Sequence, residues 1–325
     1  MLNNFSYIRP KTLKNAVKEL SAKGAGLHAG GTDILGCLRD HVFDIRKMVS
    51  ISGLKDLEGI KGLADGGMRI GALTTIGQVA GDGAVKERYA ALAQAAVDVA
   101  SPQLRNQGTV GGNLCQKPRC WYYRGEFNCL RKGGEKCFAV MGENQYHCIL
   151  GGGPCFIVHP SDLAPALIAL DATVHVAGKR GTRSIPLEKF YVLPITDVRR
   201  ETVLAEGEIV VEVILPAART ITSSYRKVRA RAAWDFALAG VALAMRFDKG
   251  AVAEAHVVLS GAAPIPWRSK TAEAALIGKK PDIATAAAAA EAALKEVSPL
   301  AKNGYKVPLF RALIEDQIKA MAQRA

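Results

Sequence analysis

Apolar residues recur at intervals of three and four from Thr12 to Leu20 and again from about Ile34 to Leu38, the spacing of one helix face. Leu27 to Ala29 and Met48 to Ile51 are short apolar runs that predict strands, so residues 1–55 form a small α/β unit. Residues 56–110 continue with a strand at Met68 to Gly71, a helical stretch capped by Thr75, and an alanine-rich helix from about Tyr89 to Ala100. From 111 to 160 no hydrophobic period survives. The run HPSDLAPALIALDATVHV (159–176) then predicts a capped helix feeding a strand, and a further strand, Glu208 to Leu215, stops at Pro216.

Residues 216–224 are the best linker. Beyond them Ala237 to Phe247 and Ala251 to Leu259 alternate like antiparallel strands, and three helices follow, at Ser269 to Leu276, Ile283 to Leu294 and Pro308 to Ala322. The 325 residues allow two or three packing units. A composition 49% apolar and 22% charged excludes disorder, and 32 Gly and 14 Pro without a period exclude collagen-like architecture.

No run approaches the ~20 apolar residues that a membrane span requires. The opening MLNNFSYIRPKTLKNAV lacks the apolar core of a secretory signal, so a cytoplasmic location is expected. The net charge of +13 raises a nucleic-acid alternative, with a structural metal loop. Its basic cluster (Arg226, Lys227, Arg229, Arg231) has only Tyr225 and Trp234 as aromatic neighbours, so a basic docking face is the simpler reading.

Six of the seven cysteines (Cys115, Cys120, Cys129, Cys137, Cys148 and Cys155) stand within residues 115–155; only Cys37 lies outside. A reducing compartment disfavours disulfides, and the two tight C-x2–4-C pairs usual in a structural zinc site are missing: Cys115 and Cys120, with four residues between them, are the closest and stand at the loose limit. An iron–sulfur cluster accepts widely spaced thiolates on a glycine-rich loop. Spacing leaves open which four of the six would hold it.

Two glycine turns complete the inventory. His28-Ala29-Gly30-Gly31-Thr32-Asp33 lies between a strand and a helix, where successive amides can converge on an anion, and Thr109-Val110-Gly111-Gly112-Asn113 is a second turn of that kind. Neither fits G-x-G-x-x-G or a Walker A loop. Together they could clamp the two halves of a pyrophosphate-bearing cofactor.

AGGTDIL at 29–35, TVGGNLC at 109–115 and HPSDLAPAL at 159–167 resemble, in order and over essentially the whole chain, the FAD-binding subunit of the xanthine dehydrogenase and carbon monoxide dehydrogenase (molybdenum hydroxylase) family. The cysteine segment is similar to the 4Fe-4S insert of the beta subunit of 4-hydroxybenzoyl-CoA reductase. The resemblance implies an α+β protein. A two-subdomain FAD-binding fold of the vanillyl-alcohol oxidase (PCMH) type would span residues 1–217 (subdomains about 1–55 and 56–217), and a C-terminal domain of antiparallel sheet and helices would span 222–325.

It further implies that Leu27, His28, Ala29, Gly30, Gly31, Thr32, Asp33 and Ile34 hold the FAD pyrophosphate, approached from the other side by Thr109, Val110, Gly111, Gly112 and Asn113. Asp162 would bind on the flavin side, Lys227 would lie near the isoalloxazine ring, and Val99 would line the pocket. Cys120, Cys129, Cys137 and Cys155 would ligate one 4Fe-4S cluster, with Cys115 in the flavin motif and Cys148 left over.

The implied activity is an electron relay between that cluster, FAD, a small subunit with two 2Fe-2S clusters and a molybdenum-cofactor large subunit. Ferredoxin or NAD would be the external electron partner. Reductive dehydroxylation of 4-hydroxybenzoyl-CoA with ferredoxin is one expectation; NAD-linked hydroxylation of a xanthine-like, aldehyde or aromatic substrate is the other.

Overall fold

The computed structural model describes residues 2–218 and 221–323. Three sheets organise it. The first is parallel, in the order β1 (Ser6–Ile8), β3 (Lys47–Ser50), β2 (Ala25–His28). Parallel neighbours need crossovers, supplied by helices Leu13–Leu20 and Ile34–Arg39. Thr12 caps the first of these by accepting from the Asn15 amide.

The second sheet runs β4 (Ile60–Gly62), β5 (Met68–Gly71), β8 (Ile209–Leu215), β6 (Thr173–Gly178), β7 (Gly181–Pro186), all antiparallel. Its central strand, IVVEVIL, is an almost unbroken apolar run because both of its faces are covered. The one acid, Glu212, is held by Arg69 and His175 on the flanking strands. Edge strand β7 exposes most of its side chains.

The third sheet, β12 (Trp267–Arg268), β11 (Ala251–Ser260), β10 (Ala239–Asp248), β9 (Thr222–Val228), is antiparallel and carries helices Lys270–Leu276, Ile283–Ala293 and Lys306–Ala322. The expected linker lies just before β9; its residues 219 and 220, like 324 and 325 at the end of the chain, fall outside the described residues. Helix Leu163–Ala169 joins the two halves: all seven of its residues are buried, and its core cluster includes Tyr225, Ala242, Ala244 and Val258 of the third sheet. A helix apolar on every side belongs in such an interior position.

The elements expected from periodicity are present with shifted ends. The alanine-rich helix is Ala90–Asp98, preceded by a separate turn of helix, Gly83–Arg88, because Tyr89 leaves helical geometry between them. No helix among the described residues is long and apolar enough to cross a membrane.

Candidate functional site

The first glycine turn connects β2 to helix Ile34–Arg39. The backbone N–H groups of Gly30, Gly31, Thr32 and Asp33 donate to no acceptor among the described residues, which leaves four successive donors facing away from the chain's own bonds. Unpaired amides are rare unless a ligand or water satisfies them, and such a row is an anion cradle. A Cβ on Gly30 would sit 2.0 Å from the Gln107 carbonyl oxygen, so only glycine lets the two subdomains meet here. Gly31 has φ +75, a backbone state that favours glycine. His28 lies beneath it, with Nδ1 3.2 Å from Ser50 Oγ; burial lowers its pKa and keeps it neutral.

The second turn differs from expectation. Val110–Leu114 is a short helix capped by Thr109, and its first amides are already used. Val110 donates to Thr74, Gly111 to Ala72 and Gly112 to the Thr109 hydroxyl. Of the two turns, among the described residues, only the first keeps a row of unpaired amides; the second presents Thr109 and a close glycine surface. Val110 is core, 2% exposed.

Two cavities meet at these turns, of about 670 and about 410 Å³. Both are lined by Gly31, Thr32, Asp33, Thr109, Gly112 and Gln116. The larger continues past Leu27, Ala29, Gly30, Ile34 and Gly111, and the smaller past Val99, Asn113, Trp234 and Phe236. A long two-headed molecule with an anionic waist fits this shape, and FAD has that outline.

The wall of the smaller cavity is strained. Ala100 and Trp234 both take left-handed backbone angles, φ 45 and φ 54, and the Trp234 amide donates to the Ala100 carbonyl at 3.1 Å. Strain of this kind collects at ligand sites.

Asp162 and Lys227 line neither cavity. They meet each other: Lys227 Nζ is 2.7 Å from Asp162 Oδ2, and the Tyr225 hydroxyl donates to Oδ1 at 2.7 Å. Lys227 also donates to the Asp98 carbonyl at 3.1 Å, directly behind Val99 and Ala100. Burial raises the Asp162 pKa, against the pull of the Lys227 ammonium. The pair thus ties helix Leu163–Ala169 to β9 and braces the cavity wall.

The cysteine segment packs between the turns and the third sheet. Asp33 turns its carboxylate to this segment, accepting from the Lys117 amide and Arg124 Nη2, both at 2.7 Å, with Arg119 at 3.0 Å. Glu201 binds both Lys117 and Arg131. Burial would raise its carboxyl, but the two cations more than offset that and hold it below the ordinary range. On the far side residues 302–306 grip the segment. Lys302 N–H donates to Asn144 Oδ1, Asn303 Nδ2 to the His147 and Cys148 carbonyls, the Tyr305 hydroxyl to the Gln145 carbonyl and Lys306 Nζ to that of Tyr146. Residues 302–306 were not singled out from the sequence, since contacts across such separations leave no local pattern.

The Cys155 thiol beside Cys137 holds Cys137 below the ordinary thiol range, and the same contact together with burial pushes Cys155 up. Cys120 feels both Cys129 and Cys137, and burial pushes it up to about 11. Cys148 faces Lys306 and burial pushes it up to about 12, while Cys115 lines the larger cavity. His147 Nε2 lies 3.3 Å from Cys120 Sγ.

Comparison with known proteins agrees with this geometry. Residues 3–218 match the FAD binding domain in molybdopterin dehydrogenase, and residues 223–321 match the CO dehydrogenase flavoprotein C-terminal domain. The chain is 36% identical to the aldehyde oxidoreductase FAD-binding subunit PaoB of Escherichia coli K12, over 98% of this chain and 99% of that protein. It is 28% identical to the carbon monoxide dehydrogenase medium chain of Hydrogenophaga pseudoflava, over 91% and 88%. A solved carbon monoxide dehydrogenase from that organism, lacking the Mo-pyranopterin moiety of its cofactor, superposes with a TM-score of 0.77 at 26% identity, covering 97% of this chain and 96% of the other. With the cradle, the paired cavities and these matches in agreement, the chain belongs to the family of FAD-binding medium subunits of the xanthine and carbon monoxide dehydrogenases, and is an oxidoreductase subunit.

Proposed function

We propose that this chain is the electron-transfer subunit of a molybdenum hydroxylase complex and that its cysteine segment carries one 4Fe-4S cluster. The observation that supports the flavin site is the row of unpartnered amides from Gly30 to Asp33 at the junction of two cavities. These amides would receive the pyrophosphate, with Thr109 and Gly112 opposite. Leu27, Ala29 and Ile34 would bound one half of the cofactor and Val99 and Asn113 the other. Bound FAD supplies two-electron and one-electron exchange; the chain's own work is to orient it, exclude water and fix its surroundings.

For the cluster, the proposed ligands are Cys120, Cys129, Cys137 and Cys155. Cys120 lies beside Cys129 and Cys137, and Cys137 beside Cys155, so the four thiols form one connected donor group. Tyr123, Phe43 and Phe138 pack with Cys120 and Cys129 as an apolar jacket, the burial that sets the potential of such centres.

The proposed partners are a molybdenum-cofactor large subunit and a small subunit with two 2Fe-2S clusters. The match to an aldehyde oxidoreductase subunit favours aldehyde oxidation in that complex. The cysteine segment favours a second reading, 4-hydroxybenzoyl-CoA dehydroxylation with ferredoxin.

Anaerobic purification tests the assignment. Flavin bands on a broad iron–sulfur shoulder are expected, lost in part (iron but not flavin) on Cys120→Ser, Cys129→Ser, Cys137→Ser or Cys155→Ser and unchanged on Cys148→Ser. A yellow protein without iron refutes the cluster, and a chain that takes up no FAD refutes the whole. Turnover of an aldehyde against 4-hydroxybenzoyl-CoA by the assembled complex separates the two substrates.

A further inference from the structure

We infer that His147 is a positioning residue that donates its Nε2–H to the Cys120 sulfur and thereby raises the reduction potential of the centre that Cys120 ligates. The inference rests on the cluster reading above. His147 is 5% exposed, and its Nε2 lies 3.3 Å from Cys120 Sγ. The ring tilts against Tyr122, centroids 6.1 Å apart. Its backbone carbonyl accepts from Asn303 Nδ2 at 3.1 Å, which fixes the main chain that carries the ring. Among the described residues Nδ1 is buried with no partner in hydrogen-bond geometry, although the Asn144 carbonyl acts on the ring.

Ligation removes the proton from sulfur. A thiolate can only accept, so the contact to Nε2 is favourable only when that nitrogen carries the hydrogen. A donor aimed at a ligand sulfur stabilises the more electron-rich, reduced centre, and hydrogen bonds to sulfur are among the main determinants of cluster potential.

The test is an EPR-monitored redox titration of the purified complex, with the flavin potential as internal reference and iron content measured in parallel. His147→Phe keeps the ring and removes the donor. Its cluster is expected to reduce with an equilibrium constant about tenfold lower, a shift of ~59 mV for one electron, at unchanged iron and flavin potential. His147→Gln, which keeps an N–H, is expected to recover part of the shift. An unaltered cluster potential in a fully loaded His147→Phe protein overturns the inference, as does loss of iron from both variants, which would make His147 a scaffold or a ligand. Wild-type protein without iron overturns the cluster reading itself.

Discussion

The Asp162–Lys227 pair permits a quantitative test of how the two halves of the molecule are joined. The Lys227 side chain has no exposed surface and that of Asp162 keeps 5%. Lys227→Met would leave the carboxylate buried, with the Tyr225 hydroxyl as its one remaining side-chain donor. Breaking a buried pair by removing one partner costs about 3–5 kcal/mol, a large share of the roughly 5–15 kcal/mol that stabilises a folded protein. At ~2–4 °C per kcal/mol, the melting temperature should fall by on the order of 10 °C. Scanning calorimetry of the isolated chain reads this directly.

The double variant Asp162→Asn/Lys227→Met removes both charges and should recover at least half of the loss, because no unpaired charge remains. There is also a pH signature. Burial raises the Asp162 pKa, and without Lys227 the rise is greater. Between the unfolded and folded values the native state then binds more protons than the unfolded one, so stability falls as pH increases through that window. The deficit of Lys227→Met should therefore shrink in acid. A loss below about 1 kcal/mol, or single losses that add in the double variant, would refute the reasoning.

Gly30→Ala places a methyl group 2.0 Å from the Gln107 carbonyl oxygen and must push the turn off the second subdomain; a loss of FAD affinity of at least about tenfold, ~1.4 kcal/mol, is expected from flavin titration, and full flavin occupancy at wild-type affinity would contradict it. Glu201 stabilises the fold above its unfolded value of 4.5, and that contribution is lost as pH falls through its depressed folded value, so Glu201→Gln should flatten the acid limb of urea midpoints measured across pH. The same variant should lose about 3–5 kcal/mol at neutral pH, since Arg131 keeps only 1% of its side chain exposed. Ala100→Gly relieves a left-handed φ of 45 and should gain up to about 1 kcal/mol in chemical denaturation, whereas Ala100→Val should be destabilising.

Much of the fold was legible because its strongest elements are locally unambiguous. The run around IVVEVIL reads as a strand, HPSDLAPALIAL as a capped helix, and the glycines at 30–31 as a turn that carries ligand chemistry; that the strand is covered on both faces and the helix interior is seen only in the fold. Strand GTRSIP escaped notice because a solvated edge needs no apolar alternation, and SYI because three residues carry no period. The insertion of β8 between β5 and β6 is fixed by the shared core of distant segments, which a linear pattern does not encode.

At the site, the turns were found by composition, but the side-chain destinations were not. Asp33 closes the glycine turn and suggests a ligand contact, yet Arg119, Arg124 and the Lys117 amide claim its carboxylate. Thr109-Val110-Gly111-Gly112 looks like a second anion cradle, but its amides close onto Ala72, Thr74 and Thr109.

The grip of residues 302–306 on residues 144–148 has a consequence for biogenesis. Those hydrogen bonds join positions roughly 155–160 apart in the chain, and Ile149 and Leu150 lie within the core of the third sheet and its helices. A ribosome releases the N-terminal turns and all the cysteines long before it releases Asn303 and Lys306. The glycine turns and the contacts of Asp33 and Glu201 with the cysteine segment can thus form on a nascent chain, whereas residues 144–148 gain their C-terminal support only when synthesis is nearly complete. A chain ending before Lys302 would keep its glycine turns but lose the support of residues 144–148, beside Cys148.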